Sequence, residues 1–118
     1  MKVRRFGLAD AVFERSPGQE AEIFTADLLN ARDGAAVTVG YGRWGAGESL
    51  TETMAVHDTM IVLEGRLTVW SDGAELEAGP GEIVHMPEGE TVTIRAHGDG
   101  AVTAYVTWPH WAEAKAGA

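Results

Sequence analysis

The side chains best suited to moving protons or gripping a ligand are few and spread along the chain. There are four histidines, His57, His85, His97 and His110, and no cysteine. Without a thiol there is no cysteine nucleophile, no thiolate metal site and no disulfide framework. An imidazole titrates near pH 6.5 or so, which makes each histidine a candidate acid, base or ligand. His85 shares a strand face with Ile83 in the run Glu82-Ile83-Val84-His85-Met86. It reads as a general acid or base, or else as a core imidazole held by one hydrogen bond. Tyr41 and Arg43 share a strand face with Val37 and Val39. An arginine at the mouth of a hollow forks onto a substrate carboxylate, and a nearby tyrosine hydroxyl supplies a proton. The plainer alternative for Arg43 is an ion pair with one of the many acids. His57 precedes Asp58 and points to the opposite face from it. His97, beside Gly98-Asp99-Gly100, reads as a turn residue, and His110, between Trp108 and Trp111, as a packing or subunit contact.

The elements that must hold these groups are strands. Val37 to Trp44, Met60 to Leu63, Arg66 to Trp70, Ala74 to Ala78, Glu82 to Met86, Thr91 to Arg95 and Ala101 to Thr107 are short runs rich in Val, Thr, Ile and aromatics. Between them fall Ser71-Asp72-Gly73, Gly79-Pro80-Gly81 and Pro87-Glu88-Gly89, which are turn signals. One short helix is predicted over Ala9 to Arg15, broken by Ser16-Pro17-Gly18. Short strands with Gly and Pro turns predict an all-β sandwich or barrel. Leu67 and Val69 then face one way, and Trp70 the other. If the first pair is interior, Trp70 covers an outer surface suited to a homodimer contact.

The chain has 118 residues, one domain's worth, with 18 acidic and 9 basic residues and a net charge of −9. That field repels phosphate backbones and anionic membranes, so neither nucleic acid nor membrane is an expected partner. No apolar run reaches the roughly 18 residues of a membrane helix, and no apolar stretch follows the basic Lys2-Val3-Arg4-Arg5 start, so a cytoplasmic location is expected.

Two stretches resemble the paired motifs of the cupin family, which implies a jelly-roll barrel with a cup-shaped site. Met60-Ile61-Val62-Leu63-Glu64-Gly65 resembles the end of the first motif, with Asp58 at its glutamate position; Gly81, Pro87 and Gly89 match the second. The positions that carry histidines in the family fall on Glu52 and Met54, or one residue earlier on Thr51 and Thr53, and on Val92. Zinc, iron or nickel wants three or four ligands, largely imidazole, so no tightly held transition metal is expected. A non-standard divalent site using Glu52, Asp58 or His85 stays open.

The chain also resembles the cupin domain of the ethanolamine-utilisation protein EutQ. The matching segments are Asp27-Leu28-Leu29, Gly40-Tyr41-Gly42-Arg43-Trp44, Val62-Leu63-Glu64-Gly65 and Tyr105-Val106-Thr107-Trp108-Pro109-His110-Trp111. This implies an N-terminal arm over 1–26, a cupin domain over 27–111 and a tail over 112–118 that frays or forms a short helical end. EutQ proteins are associated with bacterial microcompartments and an acetate kinase activity, yet no Gly-x-x-x-x-Gly-Lys phosphate loop is present here.

In the cupin register Asp58 and Glu52 project into the barrel mouth, and two carboxylates in an apolar cup split into an acid and a base near neutral pH. The expectation is therefore a small-molecule enzyme of lyase, isomerase or hydrolase type. Asp58 is its base, with His85, Tyr41 and Glu52 beside it. Arg43 anchors a carboxylate-bearing metabolite, and Met60, Val92 and Tyr105 form the wall. A non-catalytic metabolite-binding or regulatory module is the alternative.

Overall fold

Runs of Val, Thr and Ile separated by Gly and Pro turns build eight strands and very little helix among residues 2–116. The computed structural model describes residues 2–116; Met1 and the last two residues of the expected tail lie outside them. The strands are β1 (Glu14–Arg15), β2 (Ile23–Leu29), β3 (Thr38–Trp44), β4 (Ser49–Thr53), β5 (His57–Ser71), β6 (Ala74–Ala78), β7 (Ile83–Met86) and β8 (Thr91–Trp108), followed by helix α1 (Trp111–Ala116). Every pairing is antiparallel. The all-β expectation holds.

Two strands are much longer than the sequence runs suggested. Met60–Leu63 and Arg66–Trp70 belong to one continuous strand, β5, and the runs beginning at Thr91 and Ala101 belong to β8. The joints are glycines: Gly65 and Gly100 both have φ of +76°, and a Cβ on Gly65 would collide with the Gly100 carbonyl. The register shifts on either side of Gly65 are bulges that bend the pair. Before the bend, the start of β5 and the end of β8 join β7, β3, β2 and β1. Beyond it, the other halves of the same strands join β6 and β4. His97 thus lies within β8, not in a turn.

The core fills the space between these halves. Val62, Leu67 and Ala96 are fully buried, with Val69, Val84, Val92 and Ile94 nearly so. Trp70 points outward, 37% exposed, and its indole donates to Glu75 Oε1 at 2.6 Å. The hairpin between β5 and β6 turns on Asp72 and Gly73, both with positive φ, as the Asp-Gly signal predicts.

Three expectations need correction. The helix predicted over Ala9 to Arg15 is a single 3-10 turn, Leu8–Asp10, because Val12 and Phe13 lead into β1 instead. β2 crosses the 26/27 boundary and pairs with β3 from Ile23 onward, so the barrel begins upstream of residue 27. Strand β4 is mostly polar and pairs with β8, a strand the alternation alone did not reveal. Among the described residues no helix is long and apolar enough to cross a membrane.

Candidate active site

Strand pleating decides what faces the hollow. On β5, Asp58, Met60 and Val62 turn inward, and their partners across the ladder on β8 are Thr107, Tyr105 and Thr103. The next strand, β3, sets Thr38, Gly40 and Gly42 against the same three residues. The two glycines leave room for what lies opposite. The Tyr105 ring covers Gly40, and its hydroxyl donates to Asp27 Oδ1 on β2 at 2.6 Å. A Cβ at Gly40 would stand 2.5 Å from that hydroxyl oxygen. Burial, the bond to Asp27 and the charges of Asp27 and Asp58 push the Tyr105 phenol far above its ordinary range, so it stays a donor.

The hollow is a cup of about 270 Å³, with Asp58, Glu52, Thr107, Tyr105, Trp44 and Lys115 among its lining. Burial pushes the Asp58 carboxyl from an ordinary 3.8 to about 7, and the neighbouring Glu52 charge pushes in the same direction. Asp58 Oδ1 and Thr107 Oγ1 are buried without a hydrogen-bond partner among the described residues.

The cup is roofed from the C-terminal side. The Trp108-Pro109 peptide is cis, and His110 follows it. His110 Nε2 lies 2.9 Å from the Ala35 carbonyl and must donate to it, so Nδ1 accepts from Thr38 Oγ1 at 2.7 Å. This seats α1. The Trp111 indole donates to Asp27 Oδ1 at 2.9 Å, the oxygen that Tyr105 also uses. One turn on, Lys115 Nζ reaches to 3.9 Å from Glu52 Oε2 at the rim.

Of the residues singled out from sequence, Asp58, Glu52, Met60 and Tyr105 meet in this cup. Four do not. His85 is exposed on the outer side of β7, because Val84 and Met86 take the inner face and Ile83 is 66% exposed. Its Nδ1 sits 3.0 Å from Thr59 Oγ1, and its ring stacks on His57, which stacks in turn on Trp108. Tyr41 and Arg43 also face outward, since Gly40, Gly42 and Trp44 hold the inner positions of β3. The Arg43 guanidinium lies 4.2 Å over the Phe13 ring, and Tyr41 donates weakly, at 3.4 Å, to the Phe6 carbonyl. Both lie against the N-terminal arm on the outer face, Tyr41 half-buried and Arg43 exposed, away from the cup. Val92 is a core residue, 2% exposed, opposite Glu52 in the β4–β8 ladder.

Thr107, Trp44, Trp111 and Lys115 line the cup without having been anticipated. Thr107 was within reach, since it shares the parity of Tyr105 on β8. Nothing local marks Lys115.

A cupin metal does not fit these residues. The usual ligand positions carry Glu52, Met54, Asp58 and Val92: two carboxylates, a thioether and a hydrocarbon. Among the described residues no three His, Asp or Glu side chains come together around one point. His85 is on the opposite face of the sheet from Asp58, so a site combining it with Glu52 and Asp58 does not form.

Comparison with known proteins supports the family and the all-β cupin fold. The family model described as ethanolamine utilisation protein EutQ matches residues 13–113. A protein of unknown function from Rhizobium leguminosarum bv. viciae 3841 is 60% identical, with 93% of this chain and 100% of that one covered and a TM-score of 0.78. A putative ethanolamine utilization protein Q from Salmonella typhimurium LT2 is 27% identical, covering 82% and 78% of the two chains, with a TM-score of 0.73. The cupin domain of Schizosaccharomyces pombe Cnp3, 14% identical over 98% of this chain and 80% of that one, has a TM-score of 0.74 and shows the shared all-β cupin fold. None of the curated proteins matches the chain.

Proposed function

The chain belongs to the EutQ family of cupins, and from that premise we propose that its cup binds a small metabolite on which Asp58 acts as proton acceptor and donor. The observation that carries this reading is the Asp58 carboxyl itself, held inside an apolar cup, raised to about 7, with Oδ1 free of partners among the described residues. A group with a pKa near the working pH exists in both forms, so it accepts a proton in one step and returns it in the next. In the first step a substrate X–H bond breaks, an O–H bond forms at Oδ1 and the electron pair stays on the substrate. Return of the proton elsewhere gives an isomerisation; loss of a leaving group gives an elimination.

Proton transfer at Asp58 no longer has His85 or Tyr41 beside it. Glu52 keeps the site acidic, and the Tyr105 phenol, spent on Asp27, orients the wall rather than reacting. An acetate kinase reading would bring a polyphosphate to a cup with two inward carboxylates, whose rim cation Lys115 already faces Glu52. Coulomb repulsion counts against that alternative.

The test starts from metabolites retained by the purified protein, identified by mass spectrometry. Wild-type protein is expected to convert one of them, and Asp58→Asn to retain it unchanged. Release of every retained compound unaltered by the wild type would overturn the catalytic part and leave a binding module.

A further inference from the structure

We propose that the polar head of the ligand is a primary ammonium, seated between Asp58 Oδ1 and Thr107 Oγ1. The inference rests on the reading of Asp58 as the group that meets the ligand, and it adds the chemistry of what Asp58 meets.

Two buried oxygens of the cup, on Asp58 and Thr107, stand open as acceptors. Thr107 is 1% exposed, lines the cup, and its Oγ1 has no hydrogen-bond partner among the described residues. Asp58 Oδ1, on the residue directly across the ladder, is in the same condition. Three inward donors are already engaged: the Tyr105 phenol and the Trp111 indole both donate to Asp27, and the Thr38 hydroxyl is engaged by His110. An anion would meet the Asp58 and Glu52 carboxylates, with the one lysine of the lining, Lys115, already facing Glu52. An ammonium brings three N–H donors and a positive charge, which suit a carboxylate and a hydroxyl oxygen together.

The rest of the lining agrees. Trp44, Tyr105 and Trp111 offer aromatic surface, and Met54, Met60 and Met86 offer thioethers, which accommodate a short hydrocarbon body and, at ring faces, a cation. The cup's 270 Å³ falls just short of the roughly 300–1,000 Å³ of drug-sized sites, so the body is small. At the rim, Lys115 already sets a primary ammonium 3.9 Å from Glu52, the same kind of group the inner pair lacks. The chain's net charge of −9 raises the local concentration of cations around the mouth.

The test titrates n-butylammonium, n-butanol and butyrate against the full chain, following cup resonances by NMR. Butylammonium is expected to bind roughly tenfold or more tighter than either isostere. Thr107→Val and Asp58→Asn are each expected to weaken it by roughly tenfold, and Thr107→Ser to retain it. Butyrate or butanol binding as tightly as butylammonium overturns the proposal, as does undiminished butylammonium binding by both Thr107→Val and Asp58→Asn. A separate carbon-13 titration of the Asp58 carboxyl in ligand-free protein tests the acid/base reading on its own. A midpoint near 7 together with a preference for butyrate would sink the ammonium and leave the proton chemistry standing.

Discussion

Asp58 and Thr107 stand directly opposite each other on β5 and β8, both turned into the cup, yet neither finds a hydrogen-bond partner among the described residues. Leaving a buried polar group unsatisfied costs about 1–3 kcal/mol, so a wall selected for stability alone would hold apolar residues there. Two such groups side by side mark a surface shaped for something other than folding.

The first consequence is a pH-dependent stability with an uncommon sign. The folded protein binds the Asp58 proton more tightly than the unfolded chain, because burial raises the carboxyl from 3.8 to about 7. The native state is therefore favoured fully below about pH 4, and that advantage is lost as pH rises through 7. A shift of this size is worth on the order of 4 kcal/mol. Asp58→Asn should be more stable than wild type at about pH 8 and should lack the decline between about pH 4 and 7. Urea denaturation at both ends of that range reads the difference; a wild-type curve flat across it would contradict the assignment.

Glu52 tests how the shift divides. Its charge is the smaller of the two causes, after burial. Glu52→Gln should lower the Asp58 titration midpoint without returning it to the ordinary carboxylate range. A midpoint restored to that range would make Glu52 the main cause and burial the minor one.

Gly40 is required by its neighbour. A Cβ there meets the Tyr105 ring and the Ala26 carbonyl, so Gly40→Ala must displace one of them. Overpacking of this kind costs about 1–3 kcal/mol. The variant should also lose the Tyr105–Asp27 bond, visible as a phenol that titrates at lower pH in the tyrosine absorbance.

His110 seats the roof. His110→Ala removes its bonds to Thr38 and Ala35, with an expected cost of about 1–3 kcal/mol. Amide exchange in 111–116 should speed up while that of Leu67 and Val69 stays slow. Unchanged exchange in α1 would show that Trp111 holds the helix without help.

Much of the fold was legible because alternation and Gly/Pro punctuation are local signals. The parity that puts Leu67 and Val69 inside and Trp70 outside comes straight from the pleat, and the run up to Leu63 carries Asp58 on the side of Met60 and Val62. The errors have local causes too. On β3 the inner face between Thr38 and Trp44 is Gly40 and Gly42, which leave no hydrophobic trace, while outward Val39 keeps company with Tyr41 and Arg43 against Phe6 and Phe13 of the N-terminal arm. On β7, four residues are too few to fix the phase, and an exposed Ile83 gave His85 the wrong face. Tyr105 and Trp111 reach Asp27 from 78 and 84 residues away, and no spacing rule anticipates such a meeting.

The bent strands limit how this chain can be cut and rejoined. Because β5 and β8 each run through both halves of the barrel, a new terminus at Gly65 or Gly100 would sever both halves at once. The Asp72-Gly73 hairpin and the Pro87-Glu88-Gly89 turn interrupt no shared strand, which makes them the natural places for circular permutation or split-protein reassembly.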